Sequence, residues 1–169
     1  MKTPITSFLL AALTAAAPAA LAVTTARSEM TLAPAACQPA LPLYATQIRT
    51  RPMAAQNEGT KDAFVTCGMR GVLNNVRYIQ QAGVMLRNNS ARSISVRCTL
   101  VDAGVDLNTP TYYTRTVQLA ANSAGTQIVW TAALHNSGLS FRYPAVSCLL
   151  PPGAGISGVT RRYMEEVGQ

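Results

Sequence analysis

The chain has 169 residues, of which 49% are hydrophobic, 12% charged and 6% aromatic, and it carries a net charge of +7. That balance is apolar enough to build a packed core, which excludes an intrinsically disordered chain, and the length suits one domain. The positive charge comes almost wholly from arginine but is scattered, with no dense basic cluster interleaved with aromatics, so nucleic acid is set aside as a partner.

Lys2 precedes an apolar run from Phe8 through Val23, built mostly of Ala and Leu, broken once by Pro18 and containing the small-residue triplet Ala20-Leu21-Ala22. A basic start, a short hydrophobic stretch and a small-residue site are the layout of a signal peptide, with cleavage expected near Ala22. A membrane anchor would need roughly 20 apolar residues, so no span is expected in the mature form. Removing residues 1–22 leaves 147 residues (169 minus 22) and, with Lys2 gone, 13 basic side chains, 12 of them Arg, against 7 acids. Residues 23–36 lack periodicity and read as a flexible leader, which leaves residues 37–169 as a single domain. Ala33-Pro34-Ala35-Ala36-Cys37 raises the option of acylation at Cys37. Against it, Pro34 stands where a branched aliphatic is wanted, and the hydrophobic run ended well upstream.

From Leu43 onward, short runs alternate with turn chemistry: Asn57-Glu58-Gly59, Asn74-Asn75, Asn88-Asn89-Ser90, Asn122-Ser123-Ala124-Gly125, His135-Asn136-Ser137-Gly138 and Pro151-Pro152-Gly153. Punctuation about every dozen residues is the rhythm of a sandwich or barrel. Between Ser93 and Val101, Ile94, Val96, Cys98 and Leu100 share one side while Ser95, Arg97 and Thr99 share the other, a period of two with one dry face. Tyr113, Arg115, Val117 and Leu119 alternate with Tyr112, Thr114, Thr116 and Gln118, and Ile128, Trp130 and Ala132 make another inner face. Further strands are expected at 43–50, 62–69, 77–87, 143–150 and 156–164. Helix signals are nearly absent, and only Arg161 to Val167 has a helical option. The expected fold is an all-β antiparallel sandwich, immunoglobulin-like or jelly-roll-like.

The chain has four cysteines, Cys37, Cys67, Cys98 and Cys148. Behind an export signal, an even count without Cys-x-x-Cys spacing reads as two disulfides rather than a zinc or redox site. Three pairings are possible. Cys98 shares its strand face with Val96 and Leu100, and Cys148 with Val146 and Leu150, so both point into the core and are expected to meet across it. This favours 98–148 and leaves 37–67 to pin the N-terminal segment to the strand of Ala63 and Val65.

Chemistry-bearing residues are few. His135 is the only imidazole. With Asp102 or Asp106 it gives the one hydrolase reading available, although it falls in a turn and no nucleophile elbow surrounds any serine. Asp102, Asp106 and Asn108 offer oxygens to calcium, but their spacing departs from a calcium loop and lacks the distal Glu, so no metal is expected. Glu165 and Glu166 are adjacent and would point to opposite faces, unlike a glycosidase pair. Tyr112 and Tyr113 send one ring inward and one outward, and the outward ring, with Tyr143, is a candidate platform for a sugar ring.

A Cys near the N-terminus, Asn-x-Gly before Val65-Thr66-Cys67, a Val-Arg-Cys strand at 96–98, and Ser147-Cys148-Leu149-Leu150-Pro151 followed by Ile156, Tyr163 and Glu165 together resemble uncharacterised secreted proteins of bacteria. One departure is Gly68, which follows Cys67 in place of a Pro. The resemblance implies a two-disulfide sandwich outside the cytoplasm and carries no functional residues. The expected role is therefore that of a secreted or periplasmic, non-enzymatic protein without a cofactor that binds or structures an envelope or extracellular polyanion or glycan. The rivals are the His135 hydrolase and an inhibitor or accessory subunit that docks on a protein partner through loops 103–111 or 151–158.

Overall fold

The computed structural model describes residues 23–69, 79–103 and 109–167. The expected signal peptide 1–22, the Asn74-Asn75 turn, Asp106 and Asn108 lie outside the described residues.

The elements in chain order are β1 (Val23–Leu32), a helical turn α1 (Ala33–Ala36), β2 (Cys37–Pro39), β3 (Ile48–Arg51), β4 (Ala54–Asn57), β5 (Ala63–Gly68), β6 (Ile79–Asn88), β7 (Ile94–Asp102), β8 (Thr111–Leu119), β9 (Ser123–Thr131), a helical turn α2 (Ala132–His135), β10 (Pro144–Leu150) and β11 (Ala154–Val167). They form two antiparallel sheets. One has six strands in the order β3-β4-β11-β6-β9, with β1 also pairing β11, and the other has five in the order β2-β5-β10-β7-β8. From β4 to β11 the rows β4-β11-β6-β9 and β5-β10-β7-β8 are those of two interleaved Greek keys. The sandwich is therefore a jelly roll and not an immunoglobulin arrangement.

Alternation explains the core. Along β7, Ile94, Val96, Cys98 and Leu100 are buried while Ser95 and Arg97 are exposed. Along β10, Val146, Cys148 and Leu150 face the same interior. Trp130 and Ile128 from β9, Val84 and Leu86 from β6, and Ile156 and Val159 from β11 close it from the other sheet.

Two buried asparagines fix the turns. Asn57 donates its amide to the carbonyls of Lys61 and Leu150 and accepts from Gly59 N–H. Asn88 donates to the carbonyls of Arg92 and Ala120 and accepts from Ser90 N–H and Ser90 Oγ. Each side chain thus replaces ladder partners that the chain loses on leaving its strand. Gly125, at φ 82°, is the extra residue where the β6–β9 ladder steps from Leu86–Thr126 to Arg87–Ala124. A left-handed bulge position of this kind suits glycine.

The structure differs from the sequence reading in several places: over the expected strand 43–50 the chain makes a 3-10 turn at Pro42–Tyr44 before β3, and the expected loop 151–158 is strand from Ala154 onward. Residues 23–36 are not a flexible leader: β1 pairs β11 in unbroken register from Val23–Val167 to Leu32–Gly158, and Ala33 of α1 is fully buried. Arg161 to Val167 is strand and not helix, because this stretch of β11 is paired with β1 over its whole length. Both disulfides lie within the five-stranded sheet. Cys37–Cys67 joins β2 to β5 and Cys98–Cys148 joins β7 to β10, each between directly opposed residues with Cα atoms 3.9 and 4.0 Å apart. Such separations belong to close, non-hydrogen-bonded pairs of an antiparallel ladder. The sulfurs therefore staple neighbouring strands on their core face and do not cross from sheet to sheet. They also engage Cys37, so its sulfur is not available for acylation.

Candidate functional site on the outer face of the six-stranded sheet

Strand register brings side chains from four strands into rows on the outer face of the six-stranded sheet. One row runs Met30, Thr160, Gly83, Val129, and the next runs Ser28, Arg162, Gln81, Thr131. Between them lies a groove of about 300 Å³ whose lining includes Ser28, Met30, Gln81, Gln127, Thr160 and Arg162.

Gly83 is buried beneath the polar bridge that bounds this groove. Gln127 Nε2 donates to Thr160 Oγ1 at 2.8 Å, a bond from β9 to β11 that passes over β6. A Cβ at position 83 would stand 2.6 Å from that hydroxyl and 2.9 Å from that amide, so the bridge requires a residue without a side chain. Amides, hydroxyls and Arg162, beside the ion pair of Arg161 with Glu29, offer both donors and acceptors, with the fork geometry of Arg162 suited to carboxylate or phosphate oxygens. Among the described residues nothing aromatic lines the groove, so recognition there would rest on hydrogen bonds and charge.

Sequence alone does not mark these residues. A glycine inside the strand pattern from Ile79 to Leu86 is the one available signal, since an interior glycine marks a bulge or a close approach. The polar partners carry no signal because they come from strands far apart in sequence.

The residues that the sequence does mark fall elsewhere. Tyr112 is 63% exposed and Tyr143 44%. Tyr112 pairs with Val101, which pairs with Ala145 two residues beyond Tyr143, so both rings sit at one end of the five-stranded sheet. Beside them, Thr114, Thr99, Ser147, Thr66 and Gln38 make a polar row across that sheet, with the Thr99 and Thr114 hydroxyls 2.9 Å apart. Tyr113 is removed from that face. It packs edge-on against Phe141 and His135, and its hydroxyl donates to Asn136 Oδ1 at 2.8 Å. Burial pushes the Tyr113 phenol above its ordinary pKa, as expected for a ring that fixes the α2 turn.

Asp102 and His135 do not meet as an acid–base pair. Asp102 Oδ1 accepts the backbone N–H groups of Arg142 and Tyr143, each at 3.0 Å, and so sets the entry into β10. His135 Nδ1 lies 3.2 Å from the nitrogen and 3.1 Å from the oxygen of Thr131, within its own helical turn. Glu165 pairs with Arg27, while Glu166 lies opposite Thr24. Among the described residues no group of three or more His, Cys, Asp or Glu side chains could hold a metal ion, and no helix is long and apolar enough to cross a membrane.

No protein-family model matches the chain, and no curated protein matches it. Among solved structures it is similar to the carbohydrate-binding module TmCBM61 described in complex with β-1,4-galactotriose, at 8% identity and a TM-score of 0.35, covering 83% of this chain and 88% of that one. It is also similar to a structure described as "CBM4 structure and function", at 10% identity and a TM-score of 0.38, over 84% of this chain and 86% of that one. A third, from work on promiscuous carbohydrate-binding modules of the β-sandwich superfamily, shares 6% identity with a TM-score of 0.37 over 86% of this chain and 56% of that one. Likeness this distant transfers neither ligand nor residues.

Proposed function

We propose that the chain is an exported, non-enzymatic jelly-roll protein that binds an acidic saccharide unit of an envelope or extracellular polymer in the groove lined by Gln81, Thr160 and Arg162. The observation that carries this reading is the donor set around that groove. Gln81, Gln127, Ser28 and Thr160 present the mixed donors and acceptors that saccharide hydroxyls pair with, and Arg162 supplies the cation for an acidic substituent. The excess of 14 basic over 7 acidic residues draws polyanions toward such a surface.

Export is supported by the basic start, apolar run and Ala20-Leu21-Ala22 triplet, and by two disulfides of a kind that persist in oxidising compartments. Cleavage after Ala22 would leave β1 whole, because that strand begins at Val23. The non-enzymatic reading is supported by Asp102 and His135, each engaged with the backbone of a turn.

Affinity electrophoresis through gels containing polygalacturonate, with dextran as the neutral control, tests the reading. The protein should be retarded by the acidic polymer alone, and Arg162→Ala and Gln81→Ala should each weaken retardation by about ten-fold, the weight of a charge-assisted hydrogen bond. Equal retardation by dextran, or none by either polymer, would count against it. A second location is favoured by the exposure of Tyr112 and Tyr143 on the five-stranded sheet. If the saccharide stacks there, Tyr112→Ala abolishes retardation and Arg162→Ala leaves it intact.

A further inference from the structure

We infer that β1 is a self-pairing edge, through which two copies of this chain join their six-stranded sheets in a symmetric antiparallel dimer. The inference is independent of what the groove binds.

Among the described residues β1 pairs only with β11, so its other edge presents unpaired backbone N–H and C=O groups along a strand of ten residues. Natural sheets blunt such edges with short strands, charged side chains, proline or bulges. β1 is ten residues long with no proline, its ladder with β11 runs without a register shift, and its two charges, Arg27 and Glu29, are of opposite sign and so can complement a second copy. The remaining sheet edges are managed. β2 has three residues and ends at Pro39, and β3 has four. β8 and β9 close on each other through Arg115, whose guanidinium donates to the carbonyl of Val129.

The order of residues in β1 fits a second copy of itself. Antiparallel pairing about a two-fold axis at Ser28 sets Arg27 opposite Glu29 of the other copy, and Glu29 opposite its Arg27. The same register sets Thr25 opposite Thr31, Ala26 opposite Met30, and Ser28 opposite Ser28. Both charges are partly exposed, with side chains 50% and 46% accessible. On their own sheet they are flanked by Arg161, Tyr163 and Glu165, so pairing continues an existing row of alternating charge across the junction. Opposite charges directly across an antiparallel pair stabilise it and like charges destabilise it, and an isologous contact of this kind closes at two copies.

Sedimentation equilibrium of the purified protein, with charge-swapped chains, tests this. The native chain should dimerise reversibly. Arg27→Glu alone and Glu29→Arg alone each place like charges across the axis and should weaken self-association by about ten-fold or more. Mixing the two variants should restore it. In the mixed dimer the carboxylate introduced at position 27 faces the guanidinium introduced at position 29, and the unaltered Glu29 of one copy faces the unaltered Arg27 of the other. Each variant keeps its own broken intramolecular pair in the mixture, so recovery there reads only the contact between copies. Because all four native cysteines are bridged, a single new thiol reports position. Ser28→Cys should crosslink to itself under mild oxidant, while Thr114→Cys on the other sheet should not. A protein monomeric up to about 1 mM, the weak end of specific association, overturns the inference. So does a dimer in which Ser28→Cys crosslinks no faster than Thr114→Cys, the outcome expected if β1 is exchanged between copies or another surface is used.

Discussion

The two sheets of this sandwich are held together by different means. In the five-stranded sheet, β2 is tied to β5 and β7 to β10 by disulfides on the core face, and the strands between carry its most regular alternation. The six-stranded sheet holds no disulfide, and its edge strand β1 buries no residue. Instead, β1 is held by its ladder to β11 and by a surface network in which Arg27 pairs with Glu165, and Glu29 with Arg161 and the Tyr163 hydroxyl. Covalent links of this kind answer to redox conditions. An edge held by exposed charges answers to salt and pH, and it opens at lower cost because such pairs are each worth about 0–1 kcal/mol.

The largest effect that sharpens this contrast is loss of the bridges. They close sequence separations of 30 and 50 residues, each worth about 3–4 kcal/mol in the chain-entropy account, against a typical domain stability of about 5–15. Replacing Cys98 and Cys148 with Ala should lower the urea midpoint sharply, and reduction of both bridges should leave the chain largely unfolded in mild denaturant. An unchanged midpoint would mean the five-stranded sheet does not depend on them. Next come the buried turn asparagines. Asn57→Ala or Asn88→Ala strands several backbone groups inside the protein and should cost about 2–3 kcal/mol in chemical denaturation, whereas exposed Asn89→Ala should cost almost nothing. Equal costs at Asn88 and Asn89 would contradict that assignment.

Smaller effects belong to the edge. Glu29→Ala should lower global stability by less than about 1 kcal/mol while speeding hydrogen exchange in β1 and leaving β10 unchanged. Protection lost equally in both strands would show that β1 is coupled to the core. The smallest effect is at alkaline pH. The Tyr163 hydroxyl donates to the Glu29 carboxylate, which holds the phenol above its ordinary pKa, since ionisation would set two negative groups together. A folded-state value above the unfolded one contributes stability that is present below the unfolded value, about 10, and is lost as pH rises through the folded value. The native protein should therefore lose more thermal stability above about pH 10 than Tyr163→Phe. Equal losses would detach Tyr163 from the edge.

What could be read from sequence follows the same division. Ile94, Val96, Cys98 and Leu100 announce a buried face because apolar side chains in a period of two have one place to go, and Asn57 and Asn88 announce turns because their amides replace ladder partners. β1 is silent because no apolar alternation exists in a strand that buries nothing. Its pairing depends on β11, with Arg27 and Glu165 lying 138 residues apart. Parity sent Cys98 and Cys148 inward but could not say that their strands are neighbours, since facing the core is common to both sheets. The groove was unreadable for a related reason: its polar residues occupy outward positions on four strands, where any polar side chain is tolerated, and register alone brings them together.

Native-state hydrogen exchange resolved by strand, followed under oxidising and then reducing conditions, tests the central contrast most directly. With the bridges intact and the protein dilute enough to be monomeric, β7 and β10 should exchange slowest and β1 fastest. On reduction, protection should collapse in β7 and β10, while β1, the least protected strand at the outset, changes least. If β1 is as well protected as β10, or if reduction leaves β7 and β10 unaltered, the two sheets are not held by the different means described.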